Sequence, residues 1–247
     1  MRYDDFAARR LGISRNRALE LIKAEQIALN DKFFKPSFDV SALSVFKTPE
    51  ALMDDRGLNL RLLGPIYVSR AALKLRDFLE QTGLCVRGRS CLDVGASTGG
   101  FVQVLLARGA RSVLAVDVGA GQLDGTLRRD ERVRSLENTD FRAFKSEEKF
   151  ELLTCDVSFI SLLKLLPALD GAAGKDLILL FKPQFEVGRE AKRDKKGVLR
   201  DAKSIIRARE DFEKACANLG WVLKNQSVSS LAGKEGNVEH FYHFCKD

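Results

Sequence analysis

The chain has 247 residues, 45% of them hydrophobic and 30% charged, with a formal net charge of +7. No stretch approaches the ~20 consecutive apolar residues of a membrane span. The start, MRYDDFAARR, lacks the apolar core of a secretory signal, so a cytoplasmic protein without membrane contact is expected.

Five scattered cysteines without a CxxC pair point to reduced core thiols. With only His240 and His243 beside them, no metal site is expected.

In chain order, residues 1–46 read as a small module, 47–59 as a linker and 60–247 as repeating strand–helix units. Asp4 to Leu11 predicts a first helix, ended by Gly12. Ser14 suits an N-cap for a second helix over RNRALELIKAEQ, whose apolar positions Ala18, Leu21 and Ile22 share one face. A short β-element follows through IALN and KFFKPSFDV. Pro49, Gly57 and a charge cluster give 47–59 its linker composition.

The larger region offers apolar strands at 91–95, 112–119, 132–138, 150–159 and 176–184, with helical patterns such as 100–109 between several of them. Alternation of this kind implies a mainly parallel sheet covered on both faces. GWVLKNQSVSS and NVEHFYHFCK then read as two strands forming an antiparallel edge pair.

The strongest local signal is Asp93-Val94-Gly95-Ala96-Ser97-Thr98-Gly99-Gly100-Phe101, a buried strand running into a glycine-rich turn and a helix. Glycines there admit positive φ and close approach of a ligand to the backbone. Twenty-two residues after Gly95, Asp117 ends the next strand, followed by Val118. An acid at that position accepts hydrogen bonds from ribose hydroxyls of a nucleoside. The spacing is not GxGxxG, so a nucleoside without a pyrophosphate is the better ligand. At the third strand end stand Asn138, Thr139 and Asp140, and Asp140 suits an adenine amino group; a simple polar turn explains the same residues.

Four further residues stand out. Asp156 leaves the strand FELLTC, and Lys182 ends LILLF; both sit at the carboxyl rim where open α/β sheets bind ligands. Lys74 lies on a helix beginning at Ser69, where pairing with Asp77 as a surface lysine is the plain alternative. Glu239 interrupts the last apolar strand, as an edge-strand charge also would.

In the order Lys–Asp–Lys–Glu, these residues resemble the catalytic set of the FtsJ-related ribose 2′-O-methyltransferases. The matching segments are Ser69–Leu75, Asp156–Phe159, Phe181–Pro183 and Val238–His240. DVGASTGGF, AVDVGAGQLD, DVSFISL, LFKPQFE and KEGNVE resemble more closely the TlyA family, whose members have also carried the name haemolysin. The N-terminal module resembles an S4 RNA-binding domain. One departure is Thr98, where FtsJ relatives commonly carry proline. The resemblance implies a class I, Rossmann-like α/β methyltransferase with a seven-stranded, mostly parallel sheet and an antiparallel C-terminal strand. It also implies S-adenosylmethionine as cofactor and a cytidine 2′-hydroxyl of ribosomal RNA as acceptor. The chain looks like the short TlyA form, associated with the large-subunit 23S RNA, in a monomer or weak dimer. Glu235 is a second acid near Glu239.

A ribose hydroxyl is a poor nucleophile until a base takes its proton. Lysine, with a reference pKa of ~10.4, must be neutral to serve. A neighbouring cation favours that form and a carboxylate opposes it. Lys182 is expected as the base, Asp156 as its orienting partner, and Lys74 and Glu239 as ribose-positioning groups.

RNA contact is expected from Arg15, Arg17 and Lys23 in the small module, from Arg70, and from Arg189, Lys192, Arg193, Lys195 and Lys196. Residues 182–207 hold nine Lys or Arg against four Asp or Glu, and residues 1–47 hold nine against six. These two regions therefore carry +5 and +3, leaving −1 for the rest, a concentration that suits a phosphate backbone.

Three other readings stay open on residues alone. A membrane-active protein would need an apolar or strongly amphipathic segment. A non-catalytic S4-type RNA-binding protein would lack a cofactor pocket. A nucleobase methyltransferase would usually show a catalytic cysteine or a Pro-Pro-aromatic turn, which Asp156-Val157-Ser158-Phe159 does not supply.

Overall fold

The computed structural model describes all residues except 24, 189, 196, 234 and 247, and the chain divides into two compact units, Met1–Ile66 and Tyr67–Asp247.

In the small unit, α1 (Tyr3–Leu11) closes on Gly12, whose φ of +64° forms a left-handed cap. Asp4 and Asp5 in its first turn and Arg9 and Arg10 in its last suit the helix dipole. Ser14 accepts the Arg17 amide at 3.2 Å and starts α2 (Arg15–Lys23), as expected. The antiparallel pair β1 (Ile27–Leu29) and β2 (Leu60–Leu62) closes the unit.

The segment 47–59 is not a linker. Thr48 caps α3 (Pro49–Asp54), and Leu52 and Leu58 are fully buried with Phe6, Leu21 and Ile27. Two apolar anchors in a hydrophilic stretch are enough to fold it in, and the boundary moves from residue 59 to 66. The larger region begins correspondingly later than 60.

In the large unit the elements run α4 (Ala71–Thr82), β3 (Ser90–Val94), α5 (Gly100–Ala107), β4 (Ser112–Val116), α6 (Gly125–Arg128), β5 (Val133–Leu136), β6 (Phe150–Cys155), α7 (Leu166–Ala172), β7 (Ala173–Phe181), α8 (Pro183–Glu186), α9 (Ala202–Asn218), β8 (Trp221–Val228) and β9 (His240–Lys246). The seven-stranded sheet has the order β5-β4-β3-β6-β7-β9-β8, as expected in strand number. Its first five strands are parallel, and β9 lies antiparallel to both β7 and β8.

Period-two alternation splits β7 between two cores. Ile178 and Leu180 pack with Leu75, Phe78, Val102 and Leu105 on one face. Leu177, Leu179 and Phe181 pack with Leu169, Phe212 and Tyr242 on the other. Both faces are apolar, as a helix-covered sheet requires. Cys91, Cys155 and Cys216 are buried as expected, whereas Cys85 is exposed.

Register sets the functional rim. Val94 pairs with Val116 and with Cys155, so Gly95, Asp117 and Asp156 leave their strands side by side. Phe181 pairs with His240, so Lys182 and Glu239 meet at the same rim.

The opposite end holds a buried polar cluster. Asp176 on β7 accepts from His243 at 2.7 Å and pairs with Arg89 at 2.5 Å, while Asn225 contacts the other His243 nitrogen at 3.1 Å. Burial alone would raise the Asp176 carboxyl, but His243 and Arg89 outweigh it and hold it below the usual range. A depressed carboxyl stabilises above its unfolded pKa and loses that contribution as pH falls through the folded value. Asp176→Asn should lower stability by about 3 kcal/mol at neutral pH, a melting shift of roughly 6–12 °C, by leaving Arg89 unpaired. The deficit should begin to shrink below about pH 4, where the unfolded carboxyl protonates, and vanish once the folded wild-type carboxyl, held lower, protonates too; calorimetry across pH checks both.

Candidate cofactor and substrate site

Two adjoining cavities open at the rim. One, of about 480 Å³, is lined by Asp117, Val118, Asp140, Phe141 and Leu165 among others. The second, of about 860 Å³, holds Lys74, Asp156, Lys182 and Glu239. Gly95, Ser97, Asp156, Ser158 and Phe159 wall both.

The glycine-rich turn behaves as the sequence requires. Gly95 has φ +79°, and a Cβ there would lie 2.9 Å from the Asp156 carbonyl oxygen. At Gly100 a Cβ would come within 2.2 Å of Ser69 Oγ, so α5 can pack against the start of α4 only without a side chain. Asp117 is fixed by the Ser97 amide at 2.8 Å and the Gly119 amide at 2.7 Å.

Asp93 is buried and accepts from Thr154 Oγ1 at 2.7 Å, while its second oxygen has no partner among the described residues. Burial pushes its carboxyl up to about 7 against the pull of the Thr154 bond. Asp93, Ala96, Thr98 and Gly100 line the larger cavity, and Phe101 is a core ring stacked on Phe241 that reaches its edge. Gly99 packs against Leu127 instead. Asp140 lines the smaller cavity, but Arg142 already engages its carboxylate. Asn138 does not line it; at φ +53° it is an exposed turn residue.

The four charged residues come together as two ion pairs. Lys74 Nζ lies 2.6 Å from Glu239 Oε2, and Lys182 Nζ lies 2.6 Å from Asp156 Oδ1. Lys74, Lys182 and Glu239 are buried. Lys74 is therefore not a surface lysine paired with Asp77, which binds Arg76 instead. Glu239 immediately precedes β9 rather than lying within it. Lys182 also donates to Ser158 Oγ at 3.0 Å. An ammonium has three hydrogens, so one remains for a substrate oxygen.

Ser158 escaped the sequence reading, since a serine two residues beyond an acid at a strand end carries no signal of its own. So did Phe159, which is 91% exposed with φ +66°. A bulky residue in that region costs about 1–3 kcal/mol and persists only where its neighbours hold it.

The expected RNA residues fall into three groups. Arg70 and Arg193 line the larger cavity, and Arg193 also donates to the backbone carbonyls of Gln184, Gly188 and Ala191. Lys23, Lys192 and Lys195 are exposed. Arg15 shares the buried Asp4 with Arg2, and Arg17, with a side chain only 13% exposed, pairs with Glu20. Arg17 thus has the least surface to offer a phosphate. Arg189 and Lys196 lie outside the described residues.

Residues 67–246 match the FtsJ-like methyltransferase family. The chain belongs to the FtsJ-like methyltransferases. Its relatives place it on the TlyA branch. It is 58% identical to the 23S rRNA (cytidine-2′-O)-methyltransferase TlyA of Campylobacter jejuni, over 100% of both chains. It is 40% identical to the 16S/23S rRNA (cytidine-2′-O)-methyltransferase TlyA of Mycobacterium tuberculosis, over 96% of this chain and 86% of that one. Among solved structures, the "Putative hemolysin from Streptococcus thermophilus" matches with TM-score 0.70 and 34% identity, covering 100% of this chain and 88% of that one.

The cofactor of such a methyltransferase is S-adenosylmethionine, and the residues present fit it. The Gly95 cradle has no room for a Cβ, Asp117 presents a fixed carboxylate, and Asp93 holds a buried oxygen awaiting a donor. Asp117→Ala should weaken S-adenosylmethionine binding at least about 100-fold, the loss of two hydrogen bonds to a charged acceptor. Titration calorimetry reads this directly, and an unchanged affinity would remove Asp117 from the site.

Proposed function

We propose that this protein transfers the methyl group of S-adenosylmethionine to the ribose 2′-hydroxyl of a cytidine in ribosomal RNA, with the 23S RNA of the large subunit as its target. The juxtaposition of Lys182–Asp156 and Lys74–Glu239 beside the cofactor cavity carries this reading. The relative at 58% identity over both full lengths is named for cytidine 2′-O-methylation of 23S RNA, which supports the choice of nucleotide and subunit.

The cofactor, when bound, supplies an electrophilic methyl on a sulfonium. The chain's own residues do the rest. Lys182, in its neutral form at transfer, takes the hydroxyl proton as the new O–C bond forms. Asp156 and Ser158 fix its direction. Lys74 and Glu239 orient the ribose from the facing side. A buried pair keeps its geometry because separating it would leave an unpaired charge.

RNA affinity on this reading comes from an S4-like small unit and from the basic segment 188–200. Lys23, Lys192 and Lys195 are the exposed cations best placed for phosphates. The membrane-active alternative gains no support: among the described residues, no helix is long and apolar enough to cross a membrane.

Lys182→Ala should reduce single-turnover methylation at least about 100-fold, the usual worth of a positioned general base. Labelled methyl transfer to isolated ribosomal subunits, followed by mapping of the modified nucleotide, checks both rate and target; near-wild-type transfer would sink the assigned role. RNA binding should weaken roughly 10- to 100-fold between about 50 and 200 mM salt if three or four phosphates are contacted. A flat response in a filter-binding titration would argue against phosphate tracking.

A further inference from the structure

One turn beyond Lys182 stands a half-buried acid that the proposed chemistry does not use. Glu186 ends α8, the single turn that follows Lys182. Its Oε1 accepts the Leu162 amide at 2.9 Å and its Oε2 accepts Ser161 Oγ at 2.5 Å. Burial pushes its carboxyl above the usual glutamate range, with the Leu162 and Ser161 bonds pulling the other way. Glu186 lines neither cavity, and each of its oxygens already accepts from the protein.

The segment it grips is the one that leaves Asp156. Asp156 is tied to the sheet through its amide and the Val94 carbonyl at 3.0 Å. Five residues on, Glu186 holds Ser161 and Leu162. Between these anchors lie Ser158, which accepts from Lys182, and Phe159, held at φ +66° while 91% exposed. Little packing surrounds so exposed a ring, so its backbone must be constrained from the ends of the loop. Phe185, the neighbour of Glu186, meets Phe159 with ring centroids 5.1 Å apart.

We infer that Glu186 is a positioning residue for methyl transfer: by clamping Ser161 and Leu162 it holds Ser158 on the Lys182 amine. The lysine and its loop are thereby joined twice, once at the reacting end through Ser158 and once from behind through Glu186. This rests on the ribose 2′-O-methylation reading for its chemistry, though the clamp is a property of the two segments themselves.

Three variants of the full-length protein test it, Glu186→Ala, Glu186→Gln and Ser161→Ala, each assayed for S-adenosylmethionine affinity, RNA KM and single-turnover rate. Glu186→Ala should lower the rate about 30-fold, equivalent to about 2 kcal/mol at 1.36 kcal/mol per decade. Cofactor affinity should change less than about threefold, because Asp117, Gly95 and the Asp156–Val94 bond do not pass through the clamp. Glu186→Gln should recover most of the rate: its amide oxygen still accepts from Leu162 and its NH₂ can donate to Ser161. Ser161→Ala, which removes one of the two bonds, should fall between them and stays informative if Glu186→Ala does not fold. A loss confined to KM, a Gln variant as slow as Ala, or a wild-type rate in Ser161→Ala would each overturn the clamp. The ribose reading is judged separately, by whether the wild-type protein modifies a 2′-hydroxyl at all; the clamp is judged by variant-to-wild-type ratios on whichever acceptor the wild type uses.

Discussion

Everything at this site depends on the register of the parallel sheet. Val94 lies opposite Val116 on one side and Cys155 on the other, so three strands end level. Parallel strands present their carboxyl ends together, and ligands collect where those ends run out. The polar residues that follow, Gly95, Asp117 and Asp156, need no further device to be neighbours. A one-residue slip in any strand would turn its side chains to the opposite face and move its acid away from the cavity. The apolar alternation of β7 between two helix-covered faces makes such a slip costly, because each residue would enter the wrong core.

Upon that frame, charge is managed in pairs. Two lysines and two acids are withdrawn from water beside one another, each within 2.6 Å of an opposite charge. Such pairs contribute little net stability, yet breaking one leaves a buried charge at a cost of about 3–5 kcal/mol. Asp93 lines the same cavity with no cation beside it among the described residues, and burial raises its carboxyl to about 7. The contrast shows what pairing does here: where a lysine is in contact, the acid has a charged partner; where none is, desolvation dominates.

How much of this the sequence discloses follows from which forces act locally. The strand–turn–helix at Asp93 to Phe101 is legible because glycine's conformational freedom is an intrinsic property of the residue. The inner parallel strands β3, β6 and β7 are legible because buried parallel strands are continuous apolar runs. The fold of 47–59 is not, because Leu52 and Leu58 find their core through contacts far along the chain. Lys74 illustrates the same limit: its local neighbours suggest a surface pair with Asp77, and only the tertiary fold brings Glu239 to it, 165 residues away in sequence. Asn138 shows the converse. A polar residue at a strand end looks like a ligand contact, but its left-handed backbone makes it a turn former.

The antiparallel last strand is the feature that completes the charged group at the rim. β9 enters the sheet between β7 and β8, running against β7, with His240 opposite Phe181. The residue before β9 therefore sits beside the residue after β7, and Glu239 meets the rim that carries Lys182. Were β9 parallel to β7, the start of its seven residues would lie at the far end of the sheet. At ~3.3 Å per residue that is roughly 20 Å from the cofactor cavity, beyond the reach of any glutamate side chain. Lys74 would then be buried beside the cavity with no counter-charge, a state that strongly favours ejection to solvent. The reversed direction of one strand thus supplies the acid that allows Lys74 to remain inside, and with it the second of the two ion pairs at the rim.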